Sequence, residues 1–417
     1  MRILHFMNVP LSVNDLISGG QGIKSSGGWM AALLGKMINI TDIQFACAAF
    51  GKVNRIEVAR SKRCDSYFVP EHGAACSLKL CRDLVNDWQP DLIHIHGTEN
   101  AYGLLTARGM ICTPTVISLQ GLLGPSSEWY HYFGNRSLLD VLRMHRFLEF
   151  PALRGHWMGF MQIRRSAKRE EEIIQGNRFF IGRTAWDKAY IQALNPKAIY
   201  LNGGELLREP FWKMMWSLKH VRRYRIIFTN AGHPRKGTET LLDAVSLLLP
   251  DYPNIQIAIA GSISRRSGYG RYIRSRIATL NGAAVELGQL DSDQMVRELA
   301  CSHVFVSPSF IDNSPNAVCE AQLIGMPLIS SYTGGVPSLI EDGRTGLFYP
   351  TGDAPMLASR IREIFENDEL ACRLGSQARE VALARHDPDT VVNQILSAYR
   401  SVLDIHSSAM SQTTVSV

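Results

Sequence analysis

The sequence lacks any long apolar run. No window approaches the roughly 18 uncharged apolar residues that indicate a membrane-spanning helix. The first ten residues, MRILHFMNVP, lack the apolar central region of a signal peptide. These absences predict a cytoplasmic protein whose membrane contact, if it has one, is peripheral and on the cytoplasmic face.

Patterned cysteines and histidines are also absent. The eight cysteines are scattered without a Cys-x-x-Cys pair, which predicts reduced thiols rather than a zinc site or disulfides. His94 and His96 lie two apart on one face of a predicted strand, so a metal is conceivable. A third ligand is not evident and buried core histidines are commoner, so we expect no metal here.

The chain also has no Walker loop and no nucleic-acid recognition motif. Ile23 separates Gly22 from Lys24, where the ATPase motif requires adjacent glycine and lysine. The formal charge of +6 at pH 7 fits nucleic acid, an anionic membrane surface or an anionic small substrate. Charge alone does not choose among the three.

The length and the alternation of patterns predict two α/β domains. A chain of 417 residues exceeds the size at which one core usually stops growing. Strand-like runs such as RILHFMN and DLIHIHG alternate with helical patterns in both halves, which predicts parallel, doubly wound sheets that bind ligands at the carboxyl ends of their strands. The predicted segments are a first domain at 1–205, a linker at 206–223, a second domain at 224–385, a helix at 386–405 and a disordered polar tail at 406–417.

The most informative stretch is SPSFIDNSPNAVCEAQLIGMPLISSYTGG, residues 307–335. It predicts a strand end, a turn with Asp312, and a helix that begins near Pro315, contains Glu320 and ends at Gly325. A carboxylate among the apolar neighbours of Glu320 is costly unless it is hydrogen-bonded, which a sugar diol would do, and a helix start is a seat for phosphate. The alternative is that Asp312 is a surface acid in the turn and Glu320 is paired with an arginine. The spacing of the two residues alone does not decide between ligand binding and this alternative.

Three further patterns suit a ligand. The motif GHPRKG places Arg235 and Lys236 between a strand and a helix, where they could neutralise a diphosphate or form an ordinary solvated turn. Gly27 and Gly28 stand at a helix start after a Gly- and Ser-rich loop, which suits close approach to a phosphate as well as simple flexibility. Gln120 ends a strand, where its amide could bond a sugar hydroxyl or a structural partner.

Residues 136–172 combine Leu, Met, Phe and Trp with many arginines. Trp157, Phe160 and Arg164 could contribute to a basic, aromatic face for a membrane interface or a lipid-linked substrate. Composition favours the alternative, an ordinary helix pair with an apolar core face. Peripheral inner-membrane contact through residues 136–170 is kept as a hypothesis.

The second half resembles the donor domain of retaining glycosyltransferases of the GT-B fold, family four. The resemblance is carried by PSFIDNSPNAVCEAQLIGMPLISSYTGGVPSLIEDGRTGLFYP, which is similar to that family's signature of an acid, seven residues, a glutamate and a Gly-Gly loop. SGGWMAALL, DLIHIHG and GRTAWDKAYI resemble, more loosely, a bacterial branch that builds surface polysaccharides. The resemblance implies two Rossmann-like, doubly wound domains that face across a cleft, with the helix at 386–405 crossing back to the first domain.

The resemblance also implies roles for single residues. Glu320 would hold the nucleotide ribose hydroxyls, Asp312 would face the donor sugar, and Lys236 would contact the diphosphate, with Arg235 as a second cation. Further donor contacts would come from Asn313, Ser314, Asn316, Gly27, Gly28 and Gln120. No metal or cofactor is implied, because cationic side chains and a helix start stabilise the departing nucleotide diphosphate.

Four positions depart from the common pattern of that family. The first acid, Asp312, is an aspartate where glutamate is commoner, and Ala231 stands where many relatives have an arginine. Gln120 takes the place of a frequent histidine, and Ser338 takes the place of a glutamate. These departures affect the identity of the donor more than the reaction class.

The sequence therefore predicts a retaining hexosyltransferase that uses a nucleotide diphosphate sugar and a glycan acceptor, which we expect to be lipid-linked, in bacterial exopolysaccharide, capsule or O-antigen biosynthesis. A nucleotide-sugar epimerase and a non-catalytic polysaccharide-assembly subunit of the same fold are the alternatives. A nucleic-acid partner is suggested by charge alone and is not expected.

Overall fold

The structure is a computed structural model that describes residues 1–11, 28–71, 74–144 and 155–414. Its contacts divide the chain into two compact units. Unit 1 comprises Met1–Leu123, Ser166–Arg208 and Arg385–Val417. Unit 2 comprises Gly124–Arg165 and Glu209–Ala384.

The strands of the described residues are, in chain order, β1 (Arg2–Met7), β2 (Gln44–Gly51), β3 (Glu57–Ala59), β4 (Cys64–Pro70), β5 (Leu92–His96), β6 (Thr115–Ser118), β7 (Phe179–Gly182), β8 (Ile199–Asn202), β9 (Arg222–Thr229), β10 (Gln256–Ala260), β11 (Ala284–Gly288), β12 (Ser302–Ser307), β13 (Leu328–Ser331) and β14 (Leu347–Tyr349).

The α-helices of the same residues are α1 (Gly28–Ile40), α2 (Ala74–Trp88), α3 (Leu104–Ala107), α4 (Leu123–Ser126), α5 (Trp129–Phe133), α6 (Leu138–Met144), α7 (His156–Gly176), α8 (Ala185–Leu194), α9 (Glu209–Lys213), α10 (Thr238–Leu248), α11 (Gly268–Ala278), α12 (Ser292–Ala300), α13 (Asn316–Ile324), α14 (Ala354–Glu366), α15 (Asp368–Arg385) and α16 (Pro388–Thr414).

Unit 1 is built on an eight-stranded sheet with the order β3-β4-β2-β1-β5-β6-β7-β8, in which only the short β3 runs antiparallel to its neighbour. Hydrophobic side chains cover both faces. Successive residues of a strand point to opposite faces, so Ile3 packs in the core formed with α1 and α16, whereas Leu4 packs in the core formed with α2 and α7. The covering of both faces explains why the predicted strands are almost continuously apolar.

Unit 2 is built on a parallel six-stranded sheet with the order β11-β10-β9-β12-β13-β14. The helix predicted after GHPRKG is present as α10, and its apolar positions Leu241, Leu242, Val245 and Leu248 are buried. The order changes direction between β9 and β12. In parallel sheets this is where ligands bind, beyond the carboxyl ends of the strands.

The division into units differs from the predicted segments in the middle of the chain. Residues 124–165 group with unit 2, although the predicted first domain ran through 1–205. Side-chain contacts explain the difference, since Tyr132 packs against His233 and Arg136 forms an ion pair with Glu239. The predicted linker at 206–223 is also packed, because Trp216 Nε1 donates a hydrogen bond to a carbonyl at the start of β12, 2.9 Å away.

Residues Arg385–Val417 belong to unit 1. The sequence likewise predicted a helix at 386–405 that crosses back to the first domain. Helix α16 then continues to Thr414, whereas a disordered tail was predicted from residue 406. No proline or glycine follows Pro388 in this helix, so no helix-breaking residue ends it earlier. Among the residues that the structure describes, no helix has the length and apolar character needed to cross a bilayer.

Candidate active site

Two turns lie side by side at the carboxyl edge of the unit 2 sheet. The basic turn, Pro234–Lys236, follows β9, and the acidic loop, residues 309–314, follows β12, the neighbour of β9. The N–H of Phe310 donates a hydrogen bond to the carbonyl of Arg235 at 2.7 Å and so joins the two turns. Because parallel strands end at a common edge, a lysine and an aspartate 76 positions apart meet here.

Two glycines permit the close approach of these turns. Gly237 has φ +68°, and a Cβ added there would lie 1.9 Å from the carbonyl oxygen of Pro308. Gly334 has φ +50°, and a Cβ there would lie 2.1 Å from the carbonyl oxygen of Asp312. Any side chain at either position would force the backbone segments apart.

Lys236 and Asp312 form an ion pair at the centre of the site. The Nζ of Lys236 lies 2.6 Å from Oδ2 of Asp312, and the two side chains are 19% and 20% exposed. Burial raises the pKa of Asp312, but the charges of Lys236 and Arg235 outweigh it and bring the pKa below its ordinary value. Asp312 is therefore ionised at neutral pH and fixes the Lys236 ammonium at a partly exposed position.

Helix α13 begins beside this ion pair. Pro315 is its N-cap residue and Asn316 its first helical residue, and proline has no side-chain oxygen to cap the first N–H groups. A helix start of this kind favours an anion. Asn313 and Ser314 lead into it, and Glu320, one turn further on, is only 5% exposed. The predicted donor residues between Asp312 and Glu320 therefore lie on one continuous segment, next to the turn that carries Arg235 and Lys236.

A histidine that sequence reasoning missed shapes the basic turn. The Nδ1 of His233 accepts a hydrogen bond from the N–H of Arg235 at 3.2 Å. Burial, helped by the charge of Arg235, lowers the pKa of His233 to about 2, so the ring is neutral and can accept. The rings of Tyr132 and His156 pack edge-on against it, with centroids 4.9 and 5.1 Å away. His233 is visible in the motif GHPRKG, but no sequence pattern indicated that Tyr132 and His156 pack against it.

The remaining predicted site residues belong to unit 1. Gly28 is the first residue of α1, and a Cβ there would lie 3.2 Å from the side chain of Arg208. The amide nitrogen of Gln120 lies 3.8 Å from the sulfur of Met30, a weak acceptor. Gly27 lies outside the described residues. Unit 2 thus holds Arg235, Lys236, Asp312, Asn313, Ser314, Asn316 and Glu320, and unit 1 holds Gly28 and Gln120.

Unit 1 also contains a histidine cluster, His5, His94 and His96, whose third member sequence reasoning did not find. Strand β1 pairs with β5 in the register that places His5 opposite His94. All three side chains are buried, and their potential ligand nitrogens lie within 4.8 Å of one another, close enough to hold a metal ion. The third ligand that was not evident from the sequence is therefore His5, which strand pairing brings beside His94 and His96.

Hydrogen bonds engage the rings of the histidine cluster. His5 Nδ1 lies 2.9 Å from His96 Nε2, and His94 contacts the hydroxyls of Tyr399 at 2.7 Å and Ser118 at 2.6 Å. Burial lowers the pKa of each histidine, that of His96 to about 3, so the rings are neutral at pH 7. These contacts describe a neutral network that ties α16 to the unit 1 sheet.

Residues 211–381 match the family model of glycosyl transferases group 1. A phosphatidyl-myo-inositol mannosyltransferase of Mycobacterium leprae is 29% identical over 170 residues, which are 40% of this chain and 44% of that protein. A D-inositol 3-phosphate glycosyltransferase of Corynebacterium efficiens is 27% identical over 162 residues, which are 38% of each protein. The chain thus matches less than half the length of these curated relatives.

Solved structures share the fold over nearly the whole chain. Sucrose-phosphate synthase from Thermosynechococcus elongatus has a TM-score of 0.73 at 18% identity and covers 97% of this chain and 100% of its own. HepE from Anabaena in complex with UDP-glucose has a TM-score of 0.67 at 15% identity and covers 96% of this chain and 100% of its own. The predicted pair of doubly wound α/β domains is confirmed as the fold.

The family match includes both turns of the candidate site and the whole of helix α13. The chain has the GT-B fold, and its residues 211–381 match the family model of glycosyl transferases group 1.

Proposed function

We propose that this protein is a retaining glycosyltransferase that transfers a hexose from a nucleotide diphosphate sugar to a glycan acceptor. The observation that carries the proposal is the ion pair between Lys236 Nζ and Asp312 Oδ2, 2.6 Å long and partly exposed, beside the start of helix α13. A cation and a helix start together suit a diphosphate. These residues lie within the part of the chain that matches the glycosyl transferases group 1 model, which supports the proposal.

In the proposed reaction, the bond between the anomeric carbon and the leaving phosphate oxygen breaks first, and its electron pair moves to the diphosphate. Lys236, Arg235 and the N–H groups at the start of α13 stabilise the charge that develops there. The acceptor hydroxyl attacks the same face of an oxocarbenium-like sugar and gives its proton to the leaving phosphate oxygen. This front-side route needs no covalent nucleophile, and it retains the configuration of the donor.

The two carboxylates have different roles in this proposal. Asp312 holds the Lys236 ammonium in place and faces the donor sugar. Glu320 is buried one turn into α13, and its carboxylate accepts hydrogen bonds from the ribose hydroxyls of the nucleotide. Asn313, Ser314 and Asn316 contact the sugar and phosphates. Gly27, Gly28 and Gln120 of unit 1 complete the donor contacts.

The acceptor is proposed to be lipid-linked, in the biosynthesis of a bacterial exopolysaccharide, capsule or O-antigen. One relative is named as an enzyme acting on phosphatidyl-myo-inositol, which supports a lipid-bearing acceptor. Helix α6 exposes Leu138 and Leu139, at 49% and 63%, as a peripheral membrane contact would require. We therefore propose a cytoplasmic protein that contacts the inner membrane through residues 136–170, of which 145–154 lie outside the described residues.

A thermal-shift panel of nucleotide sugars tests the donor, because a ligand that binds the folded state raises its melting temperature by mass action. The matched donor is then incubated with and without a lipid-linked glycan, and the product is analysed by mass spectrometry and by NMR of the anomeric proton. Transfer with retained configuration, unaffected by EDTA, is expected. Inverted configuration would exclude the retaining route, isomerised donor without acceptor would indicate an epimerase, and no donor binding would indicate a non-catalytic subunit.

A further inference from the structure

Unit 2 contains a large cavity next to, but separate from, the Lys236–Asp312 pair. Its volume is about 790 Å³, within the range of roughly 300–1,000 Å³ that is usual for small-molecule sites. Helices α10 and α11 line it together with residues 133–140, and Phe310 of the acidic loop forms part of its wall. None of the donor residues assigned above lines it.

The charged side chains of this cavity balance. Three arginines and three carboxylates line it, namely Arg136, Arg271, Arg276, Asp140, Glu239 and Asp243. Arg136 forms an ion pair with Glu239, and their side chains are 11% and 12% exposed. Arg276 pairs with Asp243 in the same way. An anionic ligand would meet as many carboxylates as guanidinium groups, so the cavity offers a phosphate or an acidic polymer no net attraction.

Balanced charge suits a neutral ligand with many hydroxyl groups. A hydroxyl accepts a hydrogen bond from a guanidinium and donates one to a carboxylate, so each ion pair can bind the same hydroxyl from both sides. The rings of Phe133, Tyr272 and Phe310 add apolar wall. A pyranose has both features, polar hydroxyls at its rim and apolar C–H groups on its faces.

Phe310 fixes the position of the cavity relative to the candidate donor site. Its N–H is bonded to the carbonyl of Arg235, and it precedes Asp312 by two positions. Its ring is held on two sides, since a Cβ on Gly134 would lie 2.5 Å from it and a Cβ on Gly352 would lie 3.1 Å from it. The ring is therefore a fixed wall with the cavity on one side and the acidic loop behind it.

We infer that this cavity is a subsite for a neutral oligosaccharide, the growing glycan, on the donor-binding unit itself. The part of this inference that makes the oligosaccharide the acceptor rests on the proposed function. Binding of the oligosaccharide does not rest on it, because the cavity and its charge balance belong to unit 2 alone.

Titration calorimetry on the full chain tests the subsite, with maltotriose, cellotriose and mannotriose as neutral probes and a hyaluronan tetrasaccharide as the anionic probe. At least one neutral trisaccharide should bind, and the anionic probe should bind at least tenfold more weakly. Arg276→Gln should weaken the trisaccharide by about tenfold, because it loses a charged hydrogen-bond donor. Arg362→Gln, which breaks the exposed pair with Asp251 in the same unit, is the matched control and should leave the affinity unchanged.

Tyr272→Ala provides a second variant, whose folding is checked by its melting temperature, and it should also weaken the trisaccharide. Failure of every neutral probe to bind, preferential binding of hyaluronan, or equal loss in Arg276→Gln and Arg362→Gln would each overturn the subsite. Lys236→Ala separates this inference from the proposed function, because it should lower the transfer rate by about 10²-fold or more while leaving trisaccharide affinity within about twofold. Transfer by wild-type protein without trisaccharide binding would retain the proposed function and reject the subsite.

Discussion

The two units place polar side chains at their sheets in opposite ways. In unit 1, three imidazoles from β1 and β5 are buried and neutral, with His5 bonded to His96 and His94 bonded to two hydroxyls. In unit 2, Lys236 and Asp312 are charged, and about a fifth of each side chain remains exposed. Buried neutral groups lose their solvation unless the protein itself satisfies them, whereas an exposed ion pair can still bind a ligand. The comparison separates polar groups that stabilise the fold from those suited to chemistry.

The largest expected effect is an acid-induced loss of stability centred on His5, His94 and His96. Burial lowers their pKa values, so below the unfolded pKa of about 6.5 the unfolded chain binds protons that the folded chain does not. Stability is therefore present above that pH and decreases as the pH falls, by on the order of 2 kcal/mol per histidine between pH 7 and pH 5. Unit 2 should lose less, since the histidines there whose pKa burial lowers, His233 and His303, do not form such a cluster.

Hydrogen-exchange mass spectrometry at pH 7 and pH 5, corrected for intrinsic rates, measures this difference strand by strand. Peptides covering β1 and β5 should lose protection before those covering β9. Replacement of the exposed His220 by asparagine is the control and should leave the pH dependence unchanged. Equal protection of β1 at both pH values would contradict the expectation.

The next largest effect is on turnover in Lys236→Ala, which removes the ammonium beside the leaving diphosphate. We expect kcat to fall by about 10²-fold or more, because the charge that develops on the leaving diphosphate loses its cation. Lys213→Ala, which breaks an exposed pair with Glu209 in the same unit, is the matched control. A near-normal transfer rate would move the leaving-group role to Arg235 or elsewhere.

Glu320→Gln should act on donor binding. The substitution keeps the size of the side chain but removes the charge from its hydrogen bonds to the ribose, so donor affinity should fall by about tenfold. Calorimetric titration with the matched nucleotide sugar measures it, with Glu369→Gln on the exposed first turn of α15 as the control. Unchanged donor affinity would exclude the ribose role.

The smallest expected effect is on stability in Tyr399→Phe. The variant removes the hydroxyl that lies 2.7 Å from His94 Nδ1 and should lower the free energy of unfolding by about 1 kcal/mol. Urea denaturation measures it, and Tyr332→Phe, at a side chain that is 64% exposed, is the control. The affinity of this variant for the donor should be unchanged. A loss of affinity equal to that of Glu320→Gln would contradict the view that the histidine cluster stabilises the fold and does not bind the donor.

Local patterns in the sequence predicted the fold class, because alternating strand and helix signals are set by short-range periodicity. They placed helix α10 and the stop at Gly325 correctly. They did not reveal His5 as a neighbour of His94, since that contact depends on the pairing of β1 with β5. The order of strands in a sheet is a long-range property, and no local period encodes it.

The grouping of residues 124–165 with unit 2 escaped sequence reasoning for a similar reason. Their aromatic and basic composition fits a membrane face as well as a packed segment. Side-chain contacts group this segment with unit 2, such as Tyr132 against His233 and Arg136 against Glu239, and sequence patterns do not encode such contacts. The meeting of Lys236 with Asp312 likewise required β9 and β12 to be adjacent.

Helix α16 has a consequence for the synthesis of this protein on the ribosome. Val391, Ile395 and Tyr399 of α16 complete the same core as Ile3 of β1. Unit 1 therefore cannot close its core until helix α16 has left the ribosome, whereas every residue of unit 2 precedes that helix. The amino-terminal unit is the one that finishes folding last, and until then its exposed apolar sheet depends on protection from aggregation.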